Sequence, residues 1–249
     1  MAALAMTATR NLRILELLAA RLCHELSGPI GAVGNGVELL GENDPEFMRD
    51  ALSLVQDSAR RAAARLQFYR FSYGFSGDGA TSGLAPFELA ARYFEGTSIA
   101  CDYAEEVRTL PFDRQKLGCN LLLVGAEALF GGGRLVLCTA SAGLQLDMVG
   151  ATALLTLEQA MALRLETPVS AVTSRTVQIY FAALLARARG WRLVGCLQSS
   201  LPSRPQRCLG ASCDSPDLPP KQRPLLSVQG GHAAHNPVPK PFRYNAFRR

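Results

Sequence analysis

A long stretch of helical periodicity near the start of the chain constrains the fold more than any other feature. Between residues 15 and 40, apolar side chains recur at steps of three or four, as on one face of an α-helix: Leu15, Leu18, Leu22, Leu26, Ile30, Val33, Val37 and Leu40. The segment GENDPEF then predicts a turn, with Asp44 capping a second helix and Pro45 in its first position. A second apolar pattern continues to about Tyr69. Because a helical hairpin cannot bury both apolar faces alone, we predict a dimer in which two hairpins form a four-helix bundle.

The pattern changes after a Gly- and Ser-rich connector at residues 72–85, which we predict to be a linker. Beyond the connector, short helical and strand patterns alternate, and RLVLCTA and LQLDMVG predict two paired strands. The sequence therefore predicts an α+β fold. Residues 1–71 form the helical hairpin, and residues 86–196 form a small α/β sandwich with helices on one face of a sheet.

The composition changes again at residue 197. Nine of the 14 prolines lie in residues 197–249, where eight Arg or Lys face two Asp or Glu and no periodic pattern survives. We predict that this basic tail is disordered. Residues 1–196 contain 18 basic and 19 acidic side chains, so nothing there predicts nucleic-acid binding. No apolar run approaches the length of a membrane span, and the seven scattered cysteines suit reduced thiols, so we expect a cytoplasmic protein.

The segment CHELSGPIGAVGNGVELL, residues 23–40, places a histidine five residues before a proline within the first helix. At about 100° per residue, His24 points away from the apolar stripe, and an exposed imidazole is a nucleophile near neutral pH. Glu25 can accept a hydrogen bond from one ring nitrogen and leave the other nucleophilic. Pro29 removes the backbone hydrogen bond to the carbonyl of Glu25 and loosens the helix. A surface histidine beside a kink is the alternative interpretation.

This segment resembles the phosphoacceptor box of sensor histidine kinases, in which His-Glu, three residues and Pro lie on a dimerising helical hairpin. His24, Glu25 and Pro29 match that box. Over residues 9–196, including the run GNGVELL, the chain more closely resembles the ChpT-type histidine phosphotransferases, which combine a dimeric bundle with a degenerate ATP-binding domain. The resemblance implies that His24 is the phosphoacceptor and that Glu25 orients and activates it. The implied partner-binding residues are Arg21, Ile30 and Val33.

The second domain resembles a kinase ATP-binding domain without a nucleotide site. Asn120 matches the first asparagine of the family's first nucleotide box, but the second position is Val124, which cannot coordinate a metal-bound phosphate. No glycine-rich motif with the spacing for a triphosphate occurs after it. The resemblance therefore implies that this chain binds no cofactor and that the partner receiver domain supplies Mg²⁺.

The implied function is a histidine phosphotransferase of a bacterial two-component phosphorelay. It would relay phosphoryl groups through His24 between receiver domains of response regulators, with a hybrid kinase as donor and downstream regulators as acceptors. Two alternatives stay open: a non-catalytic dimeric scaffold that binds receivers, and an ATP-dependent sensor kinase core, which Val124 disfavours. Gly28 occupies the position at which dephosphorylating kinases usually have a polar side chain, so phosphatase activity is not expected.

Overall fold

A computed structural model describes residues 2–41, 44–74, 83–140, 143–150, 155–196 and 225–229. The chain divides into two compact units. The first comprises Met1–Glu95 with Val169–Val177, and the second comprises Gly96–Pro168 with Gln178–Arg249. The mixed α and β content confirms the predicted fold class. No helix in the described ranges is long and apolar enough to cross a membrane.

The first unit is built on a hairpin of two long helices, α1 (Ala2–Leu39) and α2 (Pro45–Tyr73). The carboxylate of Asp44 accepts a hydrogen bond from the backbone N–H of Glu46 at 2.9 Å, and Pro45 is the first residue of α2. The predicted helix cap is therefore confirmed. α1 continues through Pro29 without ending.

The two helices approach closely because α1 has a glycine where they meet. A Cβ atom added to Gly36 would lie 2.6 Å from Cγ2 of Val55, so any larger residue would push the helices apart. Ile14 and Leu18 are buried on α1, whereas Leu15 is 64% exposed. The apolar residues of α1, predicted to form a single stripe, thus lie on two faces of the helix. One face packs on α2, and the other is exposed.

A third helix, α3 (Pro86–Phe94), packs on α2 through aromatic rings. The ring of Phe68 stacks on that of Tyr93 with centroids 4.5 Å apart, and the ring of Tyr69 meets Tyr93 edge to face at 5.7 Å. A 3₁₀ helix at Val169–Ala171 contacts α1. The predicted domain boundary at residues 72–85 therefore differs from the boundary of the first compact unit. That unit includes α3 and the 3₁₀ helix as well as the hairpin.

In its described residues, the second unit contains a five-stranded sheet and four helices. Its strands are β1 (Ile99–Tyr103), β2 (Gly133–Ala140), β3 (Gly143–Val149), β4 (Arg192–Cys196) and β5 (Leu225–Gln229). Their spatial order is β1-β2-β3-β5-β4, with β1 and β2 parallel and every other pair antiparallel. The helices are α4 (Glu105–Arg108), α5 (Phe112–Ala128), α6 (Leu157–Leu163) and α7 (Val177–Ala188).

The core of this unit lies between α5 and the paired strands β2 and β3. Alternate residues of the strands point to one side, and their side chains there are fully buried: Leu135, Leu137, Leu144 and Leu146. Gly125 lets α5 sit close to them, because a Cβ at this position would lie 2.7 Å from a methyl carbon of Leu135. The predicted strand pair and its helical cover are both confirmed.

The prediction of a disordered tail is wrong for residues 225–229. This segment forms β5, which pairs with β3 on one side and β4 on the other. Its backbone hydrogen bonds give the β4 segment the partner strand that the sequence pattern did not reveal. Residues 197–224 and 230–249 lie outside the described residues.

Candidate active site

His24 lies on the exposed surface of α1. Its backbone carbonyl accepts a hydrogen bond from the hydroxyl of Ser27 at 2.8 Å. Across the described ranges, no hydrogen bond or ion pair engages its imidazole. The ring is therefore free to approach an electrophile from solvent.

The surface that flanks His24 on α1 consists of small residues. Ser27, Gly28 and Gly31 lie within about 60° of His24 around the helix axis, and all three are exposed. A Cβ atom added to Gly28 or Gly31 would meet no atom within 4 Å. Since these glycines are not required for packing inside the unit, they leave open space beside the imidazole.

Glu25 points toward α2 instead of toward His24. Its carboxylate lies 3.1 Å from Nη1 of Arg65, and both side chains are about two-thirds removed from solvent, at 28% and 32% exposure. Neighbouring helical positions differ by about 100°, so a residue that faces α2 cannot also lie over the His24 ring. The predicted hydrogen bond between Glu25 and the imidazole is absent from the described part of the chain.

Arg65 also donates to the backbone of the same residue. Its Nη1 lies 2.7 Å from the carbonyl oxygen of Glu25. This is the carbonyl whose helical hydrogen bond Pro29 eliminates, because proline has no N–H. Arg65 lies on α2, and nothing in the linear pattern indicates which acceptor it reaches.

A buried tyrosine and a half-buried one lie near this ion pair. The hydroxyls of Tyr69 and Tyr93 are 3.0 Å apart and hydrogen-bond to each other. Burial raises the pKa of Tyr69, and the neighbouring Tyr93 and the carboxylate of Glu25 raise it further. Burial also raises the pKa of Tyr93. Both phenols are therefore neutral at physiological pH.

The three predicted partner-binding residues have different environments. Ile30 is 57% exposed, whereas Arg21 and Val33 are half-buried. Around the helix axis, Ile30 lies about 120° from His24 on the exposed apolar face, and Arg21 lies about 60° away on the side of α2. Val33 lies about 60° from Ile30, so the structure does not bring all three residues to the face of α1 that carries His24.

In the second unit, the residue that matches a nucleotide-box asparagine lies in the interior. Asn120 is fully buried, and its amide donates to the carbonyl of Lys116 at 2.9 Å. Its side-chain oxygen accepts from Nε2 of Gln178 at 3.2 Å, which links α5 to α7. Val124 is buried as well, at 2% exposure. These side chains form part of the packed core.

Comparisons with known proteins find similarity to phosphotransferases. The sequence model of the family "Histidine phosphotransferase C-terminal domain" matches residues 87–195. The chain is 38% identical over 122 residues to "Protein phosphotransferase ChpT" of Brucella abortus (strain 2308), an alignment that covers 48% of this chain and 57% of that protein. The alignment thus spans little more than half the length of its curated relative.

A solved structure extends the likeness to most of the chain. The structure described as "1.7 Angstrom Structure of a Bacterial Phosphotransferase" superposes with a TM-score of 0.61 at 25% identity, covering 86% of this chain and 95% of that one. The likeness therefore includes the helical hairpin as well as the sheet. Residues 87–195 are thus similar to the histidine phosphotransferase C-terminal domain, and the chain is similar to a ChpT phosphotransferase, as the resemblance of its phosphoacceptor-like segment predicts.

Proposed function

We propose that this protein is a histidine phosphotransferase that relays phosphoryl groups between receiver domains of response regulators through His24. The observation that supports this most directly is the exposed, unengaged imidazole of His24, flanked by small residues in a relative of known phosphotransferases. A transfer between two proteins requires a nucleophile that a bulky partner can reach. The open surface beside His24 meets that requirement.

The chemistry is a reversible in-line transfer. A ring nitrogen of His24 uses its lone pair to attack the phosphorus of a receiver's phospho-aspartate. The P–N bond forms as the P–O bond breaks, and the aspartate carboxylate leaves with the electron pair. The reverse reaction delivers the group to the aspartate of a second receiver. The receiver is expected to supply the Mg²⁺ that neutralises charge on the transferring group, and this chain is expected to bind no nucleotide.

The proposed active form is a homodimer formed through the exposed apolar face of the hairpin. On α1, Leu12, Leu15, Ile30 and Val37 are each more than half exposed, and on α2 Met48, Leu52 and Leu66 are exposed too. A second copy would bury these side chains in a four-helix bundle. The α1 face lies about 120° to 180° from His24 around the helix, so dimerisation would leave the imidazole accessible. Such a relay is expected to act in the cytoplasm.

Label transfer tests the proposed function. A receiver domain carrying ³²P on its aspartate is mixed with the wild type, with His24→Ala, and with a control in which His232 and His235 are both changed to alanine. These are the only three histidines in the chain. We expect acid-labile label on the wild type and on the control, and none on His24→Ala.

The other outcomes identify the alternatives. Label that arrives from [γ-³²P]ATP without a receiver would mean that the protein is a kinase. A wild type that binds receivers but accepts no label from them would mean that it is a scaffold. Label that persists on His24→Ala would place the phosphoacceptor elsewhere.

A further inference from the structure

The proline in α1 leaves one backbone acceptor without its helical donor. In a regular helix the N–H of residue 29 would donate to the carbonyl of residue 25, and Pro29 cannot. A polar group that is partly withdrawn from water needs a replacement donor. The guanidinium of Arg65, which reaches across from α2, lies 2.7 Å from this oxygen and provides one.

The same nitrogen of Arg65 also contacts the carboxylate of Glu25, at 3.1 Å. Arg65 therefore contacts both the main chain and the side chain of a single residue. Because these groups are shielded from solvent to a large extent, the charged hydrogen bonds are stronger than those of an exposed ion pair. The turn of α1 at residue 25 is thereby tied to α2.

His24 is the residue immediately before this turn. Its imidazole makes no hydrogen bond, ion pair or ring contact among the described residues, so its direction depends chiefly on the backbone of α1. A helix that has lost one hydrogen bond can bend at that point, and a small rotation would move the ring relative to a docked phosphorus atom. A restraint on residue 25 limits that rotation.

We propose that Arg65 is a positioning residue for phosphoryl transfer, which holds His24 in line by replacing the backbone donor that Pro29 removes and by anchoring Glu25 to α2. This inference rests on the proposed function. It assigns Glu25 a role through Arg65, without a direct hydrogen bond to the imidazole. It also explains why a helix-weakening proline is tolerated one turn after the phosphoacceptor.

The test is a double-mutant cycle measured by single-turnover transfer from a phosphorylated receiver. The proteins are the wild type, Arg65→Gln, Pro29→Ala and the double variant Pro29→Ala/Arg65→Gln. Alanine at position 29 restores an N–H that can donate to the Glu25 carbonyl. We expect Arg65→Gln to lower the maximal transfer rate by about tenfold or more, with little change in the receiver concentration at half-saturation.

The Pro29→Ala background separates positioning from general stability. There we expect the loss caused by Arg65→Gln to fall to about threefold or less, because the backbone donor has been restored. Arg65→Lys should retain part of the rate, since an ammonium group can still reach one of the two acceptors. Arg49→Gln, at an exposed position on α2, is the matched control and should transfer like the wild type.

Equal rate losses in the two backgrounds would overturn the inference, as would wild-type transfer by Arg65→Gln. If Arg65→Gln alone fails to fold, Arg65→Lys and the double variant decide between the two outcomes. A wild type that accepts no label would remove the proposed function and this role together. A labelled wild type with an unimpaired Arg65→Gln would remove only the positioning role.

Discussion

The cysteines in the described ranges have different environments. Cys23 is exposed beside His24, whereas Cys119 is fully buried in α5. Burial raises the pKa of Cys101 to about 12, and the neighbouring Asp102 carboxylate contributes to the increase. Burial also raises the pKa of Cys119. Because the thiolate is the reactive form, the reactivity of the thiols should follow exposure and pKa.

We predict that maleimide at pH 8 modifies Cys23 at least about a hundredfold faster than Cys101 in the folded protein. Peptide-resolved mass spectrometry would measure both rates in one sample. Denaturation in urea is the control, and it should bring the rates close together. A docked receiver should also protect Cys23, since this residue neighbours His24, the proposed phosphoacceptor. Equal rates in the folded state would contradict the assigned environments.

At the scale of single residues, the sequence was sufficient to predict that His24 is exposed but not to predict which residues surround it. The exposure of His24 follows from its angle to the apolar positions of the same helix. The ion pair of Glu25 with Arg65 depends on how α1 and α2 are aligned, and two residues 40 positions apart leave no local pattern. The sequence did indicate that Pro29 leaves the carbonyl of Glu25 without its helical donor. It could not identify Arg65.

At the scale of elements, the contact between α2 and α3 includes a hydrogen bond between the phenols of Tyr69, which is buried, and Tyr93, which is half-buried. Burial raises the pKa values of Tyr69 and Tyr93 above 10, the ordinary value for tyrosine. Above pH 10 the unfolded chain releases these protons while the folded chain retains them. The folded state is therefore stabilised fully below pH 10, and that stabilisation is lost as the pH rises further.

We predict that the free energy of unfolding of the wild type falls above pH 10 by up to about 1.4 kcal/mol per pH unit for each of these tyrosines. The double variant Tyr69→Phe/Tyr93→Phe should show a shallower fall. Urea unfolding between pH 8 and pH 11 measures both slopes. The control is the difference in the free energy of unfolding between the two proteins at pH 8. It reports the lost hydrogen bond alone, about 1 kcal/mol. Parallel slopes would show that the phenols titrate normally.

The helices and most strands were predictable because their periodicity is local. What the pattern could not separate is the two apolar faces of α1. Leu15 and Leu18 lie three residues apart and both match the stripe, yet one is 64% exposed and the other 8%. Helical residues one turn apart share a broad face, and only the position of α2 divides that face in two.

At the scale of the whole molecule, the exposed face of the hairpin predicts the oligomeric state. We expect the wild type to have about twice the 26.8 kDa mass of one chain in solution. The double variant Leu15→Glu/Leu66→Glu should have the mass of a monomer, because it places charges in the proposed interface. Multi-angle light scattering after size exclusion measures the masses. Leu157→Glu, at a leucine of α6 that is 75% exposed, is the matched control and should remain a dimer. A monomeric wild type would contradict the prediction.

The last strand of the sheet shows where prediction from local composition fails. The five residues of β5 lie within a Pro-rich segment, and they form a strand by pairing with β3 and with β4, whose last residue, Cys196, precedes Leu225 by 29 positions. Between Gly143 and Asp147, β3 provides one ladder of partners, and β4 provides the other. In the described residues β4 pairs only with β5, so β5 connects β4 to the rest of the sheet.

A proline at the centre of β5 tests this connection. Ser227 lies opposite Gln145 of β3 and Val194 of β4. We predict that Ser227→Pro lowers the free energy of unfolding by about 2–3 kcal/mol, because proline removes a backbone donor from a strand with partners on both sides. Ser227→Thr keeps that donor and suits a strand, so it is the matched control and should stay within about 0.5 kcal/mol of the wild type. Urea unfolding measures both variants, and equal stabilities would mean that β5 contributes nothing to the sheet.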